Sequence, residues 1–122
     1  MKKRILLVDD SSVMRKLVTR AIRQTGLEVD VAAEAANGKE ALTVLGAQPI
    51  DLVVCDWNMP EMNGLEFIAE ARKTHKTPIV MLTTEGTSDK SQQALAAGAD
   101  AYLTKPFTQE VLQQKLKLLL NL

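Results

Sequence analysis

Four apolar runs in this chain stop on residues that can do chemistry. Residues 4–8 (Arg-Ile-Leu-Leu-Val) lead into Asp9-Asp10, and residues 52–55 (Leu-Val-Val-Cys) lead into Asp56. The run at 78–83 ends on Thr83, and the run at 100–104 is followed by Lys105. Short apolar runs are the mark of strands buried on both faces. In an open parallel sheet the carboxyl ends of such strands share one edge, where ligands bind. Three carboxylates, one ammonium and one hydroxyl are therefore expected in a single crevice. Like charges raise one another's pKa, so three carboxylates need compensation. A divalent cation supplies it, and an oxygen-only set with open water positions suits Mg2+ or Mn2+. No His or Cys set with zinc spacing is present. Metal, ammonium and hydroxyl together match the charge on the equatorial oxygens of a transferring phosphoryl group. A carboxylate among them can then act as the nucleophile.

The remaining residues supply the elements that bring those ends together. Ser11 or Ser12 can cap a first helix. In it Val13, Met14, Leu17, Val18, Ala21 and Ile22 recur at helical spacing, with Arg15, Lys16, Arg20 and Arg23 on the other face. Gly26 stops that helix. Residues 29–35 form a weaker second strand, Asn37-Gly38 turns the chain, and residues 39–45 form a second helix that ends near Gly46 and Pro49. After Pro60, which cannot extend a strand into a sheet interior, Asn63 caps a third helix over residues 64–73. Met62 and Phe67 are placed to form a hydrophobic staple around that cap. Thr87 or Ser88 caps a fourth helix that stops at Gly98. Thr108 caps the last, with Phe107 and Leu112 as a second staple and Val111, Leu112, Leu116, Leu119 and Leu120 as its apolar positions. Five strand–helix alternations with short connections require parallel strands and right-handed crossovers. The expected fold is an α/β (βα)5 doubly wound five-stranded parallel sheet with helices on both faces.

The 122 residues are expected to form one domain, with no linker leading to a separate output domain. Fifteen basic residues balance fifteen acidic ones. That balance argues against binding nucleic acid or a membrane through bulk charge. No apolar window of about 18 residues appears, and the amino end lacks the apolar core and cleavage site of a signal peptide. The single cysteine, Cys55, has no disulfide partner. These features fit a cytoplasmic protein.

The motifs Val8-Asp9-Asp10, Asp56-Trp57-Asn58-Met59-Pro60 with Gly64, Thr83, and Lys105-Pro106-Phe107 resemble, in combination, the receiver domain of two-component response regulators. The resemblance spans the whole chain and is strongest to the single-domain, CheY-like chemotaxis type. It implies the flavodoxin-like strand order 2-1-3-4-5 and a set of roles. Asp56 would be the phosphoacceptor. Asp10, Asp56 and the backbone carbonyl of Asn58 would hold Mg2+, with Asp9 acting through water. Lys105, joined to Pro106 by a cis bond, would contact the phosphoryl group. Thr83 would move to bind a phosphoryl oxygen, with Tyr102 swinging inward behind it. Asn58 and Glu85 would adjust the lifetime of the acyl phosphate. The implied partners are a sensor histidine kinase as donor, a phosphatase, and an output protein such as a flagellar motor component. The output protein would read the surface of the fourth helix, fifth strand and last helix (residues 91–122). The chain is expected to be a monomer and a signalling phosphoacceptor, not an enzyme acting on other substrates.

Other readings share part of this pattern. Within the family, a phosphorelay shuttle would pass its phosphoryl group on to a histidine phosphotransfer protein. A haloacid-dehalogenase-like phosphatase also uses a strand-end aspartate and Mg2+, but carries a second aspartate two residues later, where this chain has Asn58. A flavodoxin-type FMN site is poorly served by an aspartate cluster. Of the neighbouring residues, Trp57 is expected to be half exposed beside the site, with simple packing as the alternative. Cys55 is expected to be a buried small hydrophobe, and His75 a solvated loop residue. The basic face of the first helix is either solvated or a docking face for the kinase. The Leu118-Leu119-Leu120 run should be core plus one exposed leucine.

Overall fold

The computed structural model describes residues 2–84 and 87–122. Ten elements alternate along the chain: β1 (Lys3–Val8), α1 (Ser12–Gln24), β2 (Val29–Ala35), α2 (Gly38–Ala47), β3 (Leu52–Asp56), α3 (Gly64–Ala71), β4 (Ile79–Thr83), α4 (Ser88–Ala97), β5 (Ala101–Thr104) and α5 (Gln109–Leu120). All strand pairs are parallel, in the order β2-β1-β3-β4-β5. The expected (βα)5 architecture is therefore the observed one.

Successive strand residues point to opposite faces, and that alternation sorts the core into two layers. Leu6, Val8, Val53, Cys55, Ile79 and Met81 face one side, where Ala41, Leu45, Phe67, Ile68 and Ala94 of α2, α3 and α4 cover them. Ile5, Leu7, Leu52, Val54, Val80 and Leu82 face the other, covered by Val18 and Ile22 of α1 and Leu112, Leu116 and Leu120 of α5. Because β1, β3 and β4 are covered on both faces, their runs are apolar without interruption. The edge strand β2 reads as the weakest, and its register is interrupted by a shift between Ile5 and Leu6 of its partner.

The caps are local consequences of sequence. Ser11, Asn37, Asn63, Thr87 and Thr108 each accept a backbone N–H of the first turn that follows. At α3 the arrangement is reciprocal, a full capping box with Glu66. Met62 and Phe67 share one core cluster, and Phe107 and Leu112 share the other, as the two staples require. Gly98 ends α4 at φ 117°, a left-handed conformation open to glycine.

Several boundaries differ from the sequence reading. α2 continues through Gly46 to Ala47, and α3 stops at Ala71, two residues short of Lys73. There the guanidinium of Arg72 turns away to bond the carbonyls of Gly98, His75 and Thr77 and the carboxylate of Asp100. The apolar stripe of α1 is only partly used. Val18 and Ile22 are buried, whereas Val13 and Leu17 stay 64% and 51% exposed. In the run at 118–120, Leu120 is core and Leu118 is exposed, as expected. Among the described residues no helix is long and apolar enough to cross a membrane.

Candidate phosphoacceptor site

The strand register carries the chemistry to one edge. Val8 pairs with Cys55, Asp56 with Leu82, and Thr83 with Thr104, so the residues that follow each strand emerge side by side. Asp9 is tied to the end of β2 by its N–H, which donates to the Ala35 carbonyl at 3.0 Å. The carboxylates of Asp9, Asp10 and Asp56 converge, with one oxygen from each within 4.8 Å of the others. Asp9 is buried, Asp56 partly buried and Asp10 exposed, so the cluster opens to solvent on the Asp10 side.

Lys105 closes the inner side. Its Nζ lies 3.3 Å from Asp56 Oδ1 and 3.8 Å from Asp9 Oδ2. Its backbone N–H donates to the Thr83 carbonyl at 2.7 Å, and its peptide bond to Pro106 is cis. Thr83 is buried at the end of β4. Burial raises the Asp9 carboxyl above its ordinary value. The Ser11 N–H, which donates to Asp9 Oδ1 at 2.9 Å, opposes that rise, Asp56 adds to it, and Lys105 opposes it. One ammonium therefore does not fully offset the crowded carboxylates. The donor set, all oxygen and beside an open depression lined by Asp10, Asn58, Met59, Pro60 and Asn63, fits a hard divalent cation such as Mg2+.

The loop after β3 is held tightly. The Gly64 N–H donates to the Trp57 carbonyl at 2.8 Å. A Cβ on Gly64 would stand 2.6 Å from the Asp56 carbonyl oxygen and 2.7 Å from Met81 Cε. Asn58 is exposed on this loop, beside Asp10. Trp57 corrects the sequence expectation: it is only 6% exposed, not half exposed. The indole belongs to the core cluster that also holds Phe67, Ala94 and Ala99, and Lys90 and Tyr102 pack against it. Lys90 Nζ lies 4.7 Å from the ring centroid, and Tyr102 meets the ring edge-on at 6.5 Å. Cys55 is fully buried, and burial pushes its thiol far above the usual range, which fits a core residue and not a reactive one. His75 is partly exposed, and its carbonyl accepts from Arg72. Glu85 lies outside the described residues.

Two participants escaped the sequence reading. Arg15, assigned there to the outer face of the first helix, instead turns its guanidinium to the Asp9 carbonyl and pairs with Glu34 at 2.8 Å. Lys90 lies in a polar helix with no pattern that marks it. Arg15 was legible only as a basic residue one turn into a helix that follows the aspartate pair. Glu34 sits near the end of the neighbouring strand β2, and the 2-1-3 order brings it close.

The sheet is thus open and doubly wound, with an Asp–Asp–Asp–Lys cluster at its carboxyl edge. The family model described as "Response regulator receiver domain" matches residues 5–117. The chain is 42% identical over 122 residues to the "Chemotaxis protein CheY1" of Helicobacter pylori, covering 97% of each chain. It superposes on the chemotaxis protein CheY4 of Vibrio cholerae with a TM-score of 0.82 at 38% identity, over 98% of this chain and 99% of that one. The Francisella response regulator 1452 receiver domain gives 0.87 at 28% identity, over 98% of both chains. The chain belongs to the response regulator receiver family and is CheY-like.

Proposed function

We propose that this protein accepts a phosphoryl group from a histidine kinase on Asp56 and uses it to switch a partner-binding surface in chemotaxis signalling. The observation that carries this reading is the placement of Lys105 Nζ 3.3 Å from Asp56 Oδ1, inside a carboxylate cluster that fits Mg2+.

The nucleophile needs no general base, because a carboxylate is anionic at neutral pH. An Asp56 oxygen attacks the phosphorus in line, the P–N bond to the donor imidazole breaks, and an acyl phosphate forms. Mg2+, when bound by Asp10, Asp56 and the Asn58 carbonyl with Asp9 acting through water, would supply charge neutralisation for the transferring group. Lys105 balances charge on the transferred oxygens, and the Thr83 hydroxyl donates to one of them. Asn58 flanks the open side, where water would reach the acyl phosphate. Asn58 and Glu85 tune its lifetime in this reading.

The donor has a fitting approach. An open apolar groove of about 550 Å3 runs beside Lys105 and Thr84, lined by Met14, Leu17, Pro106 and Phe107. Its exposed leucine and the neighbouring Val13 suit an apolar face on the kinase, and α1 also carries Lys16, Arg20 and Arg23, which line a separate depression with Glu34. The output surface lies elsewhere, on α4, β5 and α5, where Leu95, Val111 and Leu118 stand exposed. Engagement of Thr83 draws on the loop after β4 and biases Tyr102 on β5, a population shift between two packings.

The test is incubation with acetyl phosphate and Mg2+, read by intact mass. One phosphoryl group is expected, lost in Asp56→Asn and on chelation of the metal. Equal labelling of Asp56→Asn refutes the reading, as does labelling without Mg2+.

A further inference from the structure

Lys90 lies in the first turn of α4, just after the Thr87 cap. Its ammonium sits 4.7 Å from the centroid of Trp57. That indole belongs to the residue directly after Asp56, and Tyr102 meets it at an interplanar angle of 81°. Side chains from the β3–α3 loop, α4 and β5 thus meet at one ring. Ala94 is the one buried residue of α4 among those described, with Ala97 packed partly against the same core. A cation over an indole is held by the negative face of the ring, and tryptophan holds it best. The edge-on contact to Tyr102 also has a preferred geometry, so a rotation of the indole is felt at both contacts.

We propose that Lys90 is a positioning residue that acts through Trp57. By holding the indole face it couples the first turn of α4 to the orientation of Tyr102 and to the strand end that bears Asp56. The inference rests on the receiver reading above, in which phosphorylation repacks α4 and Tyr102. Binding at Asp56 can move α4 only through contacts that differ between the two packings, and the Lys90–Trp57 contact is one that the sheet itself does not enforce. Lys90 is not held by the ring alone, so a single substitution removes more than this contact. A comparison in a second background separates the two.

The experiment titrates beryllofluoride with Mg2+, a stable phosphoryl mimic, by calorimetry into wild type, Lys90→Met, Lys90→Arg, Trp57→Phe and the Lys90→Met/Trp57→Phe double variant. Lys90→Met should change the mimic's affinity by about two- to fivefold, the range a partly exposed cation–ring contact supports. Lys90→Arg should restore it, and in the Trp57→Phe background the Lys90→Met effect should fall to less than half. Amide exchange on the same samples should show faster exchange of α4 in Lys90→Met, with α2 unchanged. Equal affinities for wild type and Lys90→Met, or an effect of undiminished size with Phe at 57, overturn the Lys90 role while leaving the receiver reading intact. Failure of wild type to bind the mimic at all overturns both.

Discussion

The Lys105 ammonium stands 3.3 Å from Asp56 Oδ1 and is the only cation that the described residues place in contact with that carboxylate. With 3.8 Å to Asp9 Oδ2, it bridges two acids that would otherwise face each other. Lys105→Met is therefore expected to lower the metal-free unfolding free energy by about 1.5–3 kcal/mol, the usual worth of a hydrogen bond to a charged group. The loss should shrink when Mg2+ saturates the site, because the cation then offsets the same repulsion. Urea unfolding with and without Mg2+ measures both values.

Asp9 gives the pH dependence its sign. Its carboxyl titrates above the ordinary 3.8, through burial first and the neighbouring carboxylates next. A carboxyl raised in the folded state contributes stability that is fully present below its unfolded pKa and lost as pH rises through its folded pKa. At neutral pH Asp9 thus destabilises the metal-free protein. Asp9→Asn keeps an oxygen for the Ser11 N–H and should raise the metal-free unfolding midpoint at neutral pH. The gain should fade as the pH drops toward 3.8, and thermal melts across that window measure it.

Gly64 is needed for space. The nearest atom to an added Cβ is the Asp56 carbonyl oxygen at 2.6 Å, and strand backbone cannot yield as a flexible side chain can. Gly64→Ala should cost about 1–3 kcal/mol, typical of overpacking, and should also slow Asp56 phosphorylation by displacing the strand end. Parallel unfolding and acetyl phosphate kinetics separate the two effects.

Arg72 should affect stability alone. Its guanidinium bonds three carbonyls and the Asp100 carboxylate, which in turn accepts the Ile79 N–H at 2.8 Å. An exposed ion pair is worth little, but here several part-buried carbonyls lose their donor. Arg72→Ala should cost about 2–4 kcal/mol, with the rate of acetyl phosphate labelling unchanged while the protein is folded.

The sequence disclosed the fold because burial on both faces leaves β1, β3 and β4 as uninterrupted apolar runs, and because each helix opens on a Ser, Asn or Thr cap. The core of the site was legible for a related reason: Asp9, Asp10, Asp56, Thr83 and Lys105 all stand at or just after strand ends. Arg15, Lys90 and Trp57 were misplaced or missed because their positions depend on contacts between elements far apart in sequence. A basic residue on an amphipathic helix is normally solvated, and only the β2–β1 pairing brings Glu34 to Arg15. The inward turn of Trp57 depends on α4, whose polar sequence gives no sign of the apolar surface its alanines present. The shift in β2 register leaves no mark in a strand this rich in alanine.

The most direct measurement of the central claim is reductive trapping of the phosphorylated protein. Borohydride converts an aspartyl phosphate to homoserine, and peptide mass spectrometry locates the change. After acetyl phosphate and Mg2+, homoserine is expected at position 56, with Asp9 and Asp10 intact. Homoserine at position 9 or 10, or a stable phosphoryl group that resists reduction and maps to His75 or Thr83, would contradict it.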